Sequence, residues 1–276
     1  MKYKYKSYAK INSYLNVMAK LDNGYHAINT HFQIIDLYDE LEFIESDEIQ
    51  VDSNEKIIKS NNSIIETIKW FNQKYKVNQK FKIKIKKLIP IGAGLGGGSS
   101  NAAISLQFLS KFHNIQIEEI DNNEIALSLG ADVPVFKDKW SCHASGIGDI
   151  LGKRSFNSSK YLLICPKIFV SSQNLYDSKY LKFQSNVNKE INSFLPTLIK
   201  ENKEFEAFYN LLRDQLPFKT FEKLKLSGTG STLFLENPSE SEIEIFNKKV
   251  NKNFRVFLTK GLEYYDFVSD WGVAKW

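Results

Sequence analysis

The residues best suited to chemistry lie in one run, Pro90-Ile91-Gly92-Ala93-Gly94-Leu95-Gly96-Gly97-Gly98-Ser99-Ser100, which holds five of the chain's fourteen glycines. Glycine lets backbone N–H groups approach an anion with no Cβ in the way. The alternating segment Phe81-Lys82-Ile83-Lys84-Ile85-Lys86 predicts a strand just before the run. Ala102, Ala103, Leu106, Leu109 and Phe112 predict a helix just after it, with Ser99 and Ser100 as capping residues. A glycine turn opening onto a helix N-terminus offers free N–H donors and the positive end of the helix dipole. That chemistry is phosphate binding.

Several phosphate loops fit so brief a description. Gly92 to Gly97 matches GxGxxG, but a dinucleotide loop follows a buried, continuously apolar parallel strand. Here Lys82, Lys84 and Lys86 line one face of the strand and Pro90 intervenes. A Walker loop ends in GK[ST], whereas Gly97 is followed by Gly98 and Ser99. The HRD and DFG elements of protein kinases do not occur.

The elements that must position this turn are legible in outline. Residues 3–6, 11–17, 26–36 and 40–45 read as extended, with a turn at Asp22-Asn23-Gly24. Residues 61–75 predict a helix, as do about 118–129 (ending at Gly130), 188–200, 203–213 and 239–250. Strands are expected at 161–165, 232–236 and 254–259. Strands and helices mix without strict βαβ alternation, which predicts an α+β fold. The polar stretch Gly152 to Ser159 suggests a boundary between residues 1–153 and residues 154–276.

Composition limits the partners. Of 276 residues, 42% are hydrophobic and 25% charged, a globular balance. The net charge of +5 is carried almost wholly by lysine, since Arg154, Arg213 and Arg255 are the only arginines. Arginine is the residue expected to dominate recognition of bases, so the charge does not argue for nucleic acid. A basic RNA-binding module remains the rival reading, through the interleaved Lys and Tyr of residues 2–8, although no RNP, KH or zinc-knuckle pattern supports it. Cys142 and Cys165 lack CxxC spacing, and His31, His113 and His143 lack ligand spacing, so neither a disulfide framework nor a metal site is expected. There is no secretory h-region and no apolar run of 18 residues, so the expectation is a cytoplasmic protein with no membrane partner, monomeric or homodimeric.

The run from Pro90 to Ala103, P-x-x-x-G-L-G-G-G-S-S-N-A-A, closely resembles the ATP-binding motif of the GHMP kinases. Ala9-Lys10-Ile11-Asn12, Asn23-Gly24-Tyr25-His26, Leu129-Gly130-Ala131-Asp132-Val133-Pro134-Val135-Phe136 and Leu226-Ser227-Gly228-Thr229-Gly230-Ser231 resemble, in order, segments of the branch that phosphorylates a cytidine diphosphate-linked polyol. Together they span nearly the whole chain. Two departures stand out: Asn23 where that branch has Asp, and Ser145 where it tends to carry Glu.

The resemblance implies a two-domain GHMP kinase architecture, with a ribosomal protein S5 domain 2-like N-terminal lobe and a ferredoxin-like C-terminal lobe. It implies ATP as phosphate donor, with Mg²⁺ carried by ATP and a small-molecule cytidine diphosphate substrate as acceptor. Asp132, which on its own reads as a turn or cap residue between Gly130 and Pro134, becomes the catalytic carboxylate. Lys10, on its own a strand-end lysine, becomes its partner, and Asn12 would orient the acceptor polyol. Tyr25 and His26 could stack on a planar base, and the resemblance assigns them to the cytidine moiety. Pro90 to Ser100, with Asn62 and Lys87 at the adenosine end, would bind ATP.

Overall fold

The structure is a computed structural model that describes residues 2–55, 62–249 and 254–267. Asn61 and Val250, at the ends of two predicted helices, lie outside the described residues.

The spine is a long antiparallel hairpin of β1 (Lys2–Lys20) and β2 (His26–Glu45). The extended segments expected at 3–6 and 11–17 are thus one strand, and so are 26–36 and 40–45. Polar residues that suggested breaks, such as Ser7, Lys10 and Asp39, stay in the ladder and are buried against polar partners. The turn between the strands closes with Gly24 at φ +84°. Register shifts fall between Tyr8 and Ala9, Asn12 and Tyr14, and Val17 and Ala19. The first two flank Lys10–Asn12, and bulges of this kind bend a strand and re-aim its side chains.

Three apolar cores lie along this hairpin. Tyr3, Tyr5, Phe32, Leu41 and Phe43 pack with α1 (Ser63–Tyr75), β4 (Phe81–Lys86) and α2 (Gly97–Phe112) in the first. Residues 100–110 of α2 are buried on every side, as expected of a central helix. Ala9 and Ile11 lie in the second, with Ile89, Ala93, Leu95 and Phe234. Leu15, Val17 and Ile28 enter the third, built chiefly from the C-terminal helices.

After α2 come α3 (Asn122–Leu129), α4 (Val133–Asp138), β5 (Cys142–Ser145), β6 (Ile150–Arg154) and β7 (Lys160–Pro166). The C-terminal part adds α5 (Ser172–Tyr176), α6 (Phe194–Glu201), α7 (Lys203–Gln215), α8 (Phe218–Glu222), β8 (Lys225–Leu226), β9 (Leu233–Glu236), α9 (Glu240–Lys249) and β10 (Phe254–Leu262). β3 (Gln50–Ser53) runs parallel to β4, and the other strand pairs among the described residues are antiparallel. β10 pairs with β7 and then, through Gly261 and Leu262, with β2, joining the C-terminal sheet to the hairpin. The α+β class is as expected.

Three expectations need correction. The helix expected over about 118–129 begins at Asn122, where the Asp121 side chain caps it by accepting Glu124 N–H, and Ile117–Glu119 form a separate short turn of helix. The helix expected over 188–200 begins at Phe194, because 191–193 are drawn onto the edge of β1: Leu15 N–H donates to Ile191 O and Ser193 N–H to Leu15 O. Nor do Ser99 and Ser100 cap α2. The cap is Gly96 at φ +69°, with no side-chain bond to the helix, and both serines lie within the first turn.

Candidate active site

A cleft of about 500 Å³ opens between the glycine turn, the hairpin and the C-terminal loops. Every residue from Pro90 to Ser99 lines it, along with Asn62, Lys87, Lys10, Asn12 and Asp132. The structure thus gathers in one place residues spread over 122 positions of sequence, from Lys10 to Asp132.

The glycine turn is held by its carbonyls. Gly92 O accepts from Val170 N–H (3.3 Å) and Ala93 O from Thr232 N–H (3.2 Å). Gly94 O accepts from Ser227 Oγ (3.0 Å) and Lys10 Nζ (3.1 Å), and Leu95 O from Lys10 N–H (3.1 Å). In a trans peptide the N–H points opposite to the C=O, so these contacts turn the N–H groups of residues 93–96 away from those partners. Beyond the turn, Gly97, Gly98 and Ser99 are the first residues of α2 and line the cleft. Helix-start N–H groups have no acceptor within the helix. The absence of a side-chain cap leaves that end available to an anion.

β1 presents Lys10 and Asn12 on one face, because strand side chains alternate, while Ala9 and Ile11 go to the apolar core. Lys10 is 2% exposed, yet its ammonium has three polar partners. They are Asn12 Oδ1 at 2.6 Å, Gly94 O at 3.1 Å and Asp132 Oδ2 at 3.1 Å. Asn12 is oriented in turn by donating from Nδ2 to Thr30 Oγ1 at 2.8 Å.

Asp132 occupies the N-cap position of α4 but makes no capping bond with its side chain. The capping alternative is therefore not what its carboxylate does. Val133, Val135 and Phe136 anchor α4 in the first core, and this sets the backbone so that Asp132 faces Lys10. About a third of the carboxylate side chain remains open to solvent and ligand.

Beneath the start of α2, Asp39 is fully buried and paired with Lys87, while its other oxygen accepts Leu88 and Ile89 N–H groups at 2.8 and 2.9 Å. With its amide turned to satisfy both ends, Asn101 donates to Asp39 Oδ2 and Gly97 O. Lys87 thus reaches the cleft as half of a buried ion pair. Asn62 lines the cleft while its Oδ1 caps α1 at Ile64 N–H. Ser100 Oγ accepts from Ser7 Oγ (2.7 Å) and is wholly buried, under the turn and off the cleft wall.

Tyr25 and His26 do not line the cleft. Tyr25 is 40% exposed on the hairpin turn. His26 is buried, 5.0 Å between ring centroids from Tyr176 and 6.0 Å from Phe183. Burial, then the neighbouring Lys20, lowers its pKa. Tyr176, on α5, does line the cleft and joins His26 to it. Burial raises its phenol pKa, helped by the nearby charge of Asp132. Tyr176, Ser172 and Thr229 were missed from sequence, and the last two share a 2.8 Å hydroxyl contact at the cleft wall. No motif spacing marks them; Thr229 alone stood in a quoted glycine segment.

A lysine on β1 that faces a carboxylate at the start of α4, beside a glycine turn, is an arrangement suited to phosphoryl transfer to a small molecule, and comparison with known proteins points to the same class. Residues 62–137 match the family model for the GHMP kinases N terminal domain. The fold is similar to a crystal structure of 4-(cytidine 5'-diphospho)-2C-methyl-D-erythritol kinase, at TM-score 0.73 and 22% identity, covering 94% of this chain and 98% of that one. It is also similar to homoserine kinase from Cytophaga hutchinsonii, at TM-score 0.63 and 13% identity, covering 96% of both chains. The chain is 36% identical, over 95% of its length and 97% of the relative's, to the 4-diphosphocytidyl-2-C-methyl-D-erythritol kinase of Francisella tularensis subsp. holarctica. It is 31% identical to that of Thermoanaerobacter pseudethanolicus, over 96% of this chain and 99% of the relative. The chain belongs to the 4-diphosphocytidyl-2-C-methyl-D-erythritol kinase branch of the GHMP kinase family.

Proposed function

We propose that this chain transfers the γ-phosphoryl group of ATP to the 2-hydroxyl of 4-diphosphocytidyl-2-C-methyl-D-erythritol, giving the 2-phosphate and ADP on the non-mevalonate route to isoprenoid precursors. The observation that carries the reading is the 3.1 Å pair of Lys10 and Asp132 beside the glycine cradle. Phosphoryl transfer needs positioned phosphates, neutralised charge and a carboxylate near the attacking hydroxyl. The turn from Pro90 to Ser99 supplies backbone donors to the phosphates, with Ser100 bracing it from below. Asn62 and Lys87 border the adenosine end. Asp132 accepts the proton of the hydroxyl as it attacks, and Lys10 balances the negative charge on that oxygen. Asn12 orients the polyol. Tyr176 borders the cytosine end, with the buried His26 packed behind it and Tyr25 near by on the hairpin turn.

Asp132 is the one carboxylate among the described residues lining the cleft, and no group of three or more His, Cys, Asp or Glu there could hold a metal. On this reading a magnesium ion arrives with ATP, held largely by its phosphate oxygens, and supplies charge neutralisation. Among the described residues no helix is long and apolar enough to cross a membrane. Free Cys142 and Cys165, both buried, support a cytoplasmic setting, with the chain a monomer or homodimer. We divide the chain at residue 153/154, with Leu262, Tyr265 and Phe267 returning to pack on the first core.

A substrate panel with coupled ADP detection tests the reading. The cytidine diphosphate substrate should be turned over, with homoserine and mevalonate at background. Turnover of either of those alone would move the specificity within the family. Steeply salt-dependent RNA binding without kinase activity would favour the RNA-binding reading.

Lys10→Ala should lower kcat about a hundredfold while changing ATP affinity far less. Asp132 is partly open to solvent, so losing Lys10 does not strand a buried charge. A larger loss in ATP affinity than in kcat would recast Lys10 as a nucleotide-binding residue.

A further inference from the structure

The loop between β8 and β9, Ser227-Gly228-Thr229-Gly230, ties the reacting residues to the phosphate cradle. Ser227 is fully buried, and its hydroxyl serves two elements at once. Oγ accepts from Asn12 N–H at 3.3 Å and donates to Gly94 O at 3.0 Å. One oxygen atom thus spans from the strand that carries Lys10 and Asn12 to the turn that would cradle the phosphates. Gly228 lies against the same turn and strand: a Cβ there would sit 3.1 Å from Gly94 O, 3.2 Å from Asn12 Oδ1 and 3.3 Å from Lys10 Nζ.

The loop has a second support from outside every motif of the sequence. Asn192 Nδ2 donates to both Leu226 O and Gly228 O, each at 2.8 Å, and its Oδ1 accepts Phe194 N–H at 2.8 Å. Asn192 is itself in register with β1, since Leu15 bonds to Ile191 and Ser193 on either side of it. The contacts close a circuit: β1 fixes Asn192, Asn192 fixes the loop, and the loop, through Ser227, fixes Gly94 and returns to Asn12. Asn192 does not line the cleft, so whatever it contributes to turnover passes through the loop.

We infer that Ser227 and Asn192 are positioning residues that set the spacing between Lys10–Asn12 and the glycine cradle for phosphoryl transfer. The inference rests on the phosphotransferase reading above. Displacing a reacting group by about 1 Å can cost about a hundredfold in rate without touching the chemistry. Removing either hydrogen-bonding group should therefore slow transfer while leaving the backbone donors to ATP in place.

The test is single-turnover transfer to the cytidine diphosphate substrate at saturating ATP. It is measured for Ser227→Ala, Asn192→Ala and the double variant, with ATP affinity and the ATP-binding fraction of each preparation. Transfer should fall about tenfold to a hundredfold in each single variant, with ATP Kd within about threefold of the parent. The double variant should lose less than the product of the two, because groups in one circuit are not additive. Rates within about twofold of the parent would overturn the inference, as would a loss matched by the fall in ATP-binding fraction. Should Asn192→Ala fail to fold, Ser227→Ala, which deletes a single oxygen, decides alone. If the parent phosphorylates no alcohol in the panel, the phosphotransferase reading fails and takes the inference with it. If the parent is active and the variants match it, only the inference fails.

Discussion

Asp132→Asn should lower kcat about a thousandfold and leave ATP affinity within about threefold of the parent. The substitution suits this site because asparagine keeps the shape and one acceptor oxygen. Lys10 Nζ, now 3.1 Å from Oδ2, can still donate to the amide oxygen and retains Asn12 Oδ1 and Gly94 O. The amide cannot take the proton of an attacking hydroxyl, so geometry is preserved and basicity removed. Nucleotide binding should survive because the cradle is built from backbone groups that Asp132 does not touch. Asparagine keeps an acceptor oxygen in place, so a carboxylate that merely positioned the hydroxyl would lose little on becoming an amide. Turnover within about tenfold of the parent would thus eliminate proton acceptance by Asp132 and leave positioning as its role. Asp132→Ala separates the contributions further, since it also deletes the acceptor that steadies Lys10.

The glycine turn was legible because its signal is local: strand, glycines and helix are contiguous, and each residue type has its own mechanical reason. Asn62 was likewise legible as a helix start. The pairing of Lys10 with Asp132 was not derivable from spacing. Both were anonymous by type, one of many lysines and a turn aspartate, and only the resemblance to a family joined them. The structure supplies the physical reason, in β1 alternation and in the apolar anchoring of α4. Tyr176 went unread for a similar reason. It lies on a five-residue helix with no period to mark it, and its value comes from His26, which is distant in sequence. Tyr25, placed beside His26 by motif, is on the exposed side of the hairpin turn, because neighbouring residues near a strand start face opposite ways.

Misread elements share one cause, tertiary contacts that override local preference. Serines 99 and 100 are good caps by type, yet the helix starts earlier, at a left-handed glycine that L-residues other than glycine adopt only under strain. The consequence bears on function, since a serine cap would occupy donors that a phosphate needs. Residues 188–193 carry helix-compatible side chains but meet the open edge of β1, and there the ladder of hydrogen bonds wins. Asn192 gains its place in the loop circuit from that outcome.

Gly94→Ala should be far more damaging than the same change at two other glycines, which make the expectation testable. At φ +76°, alanine pays about 1–2 kcal/mol for the left-handed backbone alone. Its Cβ would also lie 2.2 Å from Ser227 O and 3.0 Å from Gly230 N. Those are backbone atoms with no rotamer to yield, so the turn or the loop must retreat. Retreat breaks the bonds from Ser227 Oγ and Lys10 Nζ to Gly94 O, which hold cradle, loop and lysine together. Gly24→Ala isolates the backbone cost, since Gly24 has φ +84° and nothing within 4 Å of its Cβ position. Gly98→Ala isolates the methyl, because its Cβ would meet only Ser63 Oγ at 3.8 Å and its φ is not left-handed. Denaturant unfolding should rank the losses Gly94 above Gly24 above Gly98, with Gly24→Ala near 1 kcal/mol, about the left-handed cost alone. ATP affinity should fall about a hundredfold or more in Gly94→Ala and stay near the parent in Gly24→Ala, which lies off the cleft. A Gly94→Ala variant no less stable than Gly24→Ala, with ATP bound as in the parent, would mean that the loop and turn are not packed as closely as these distances require.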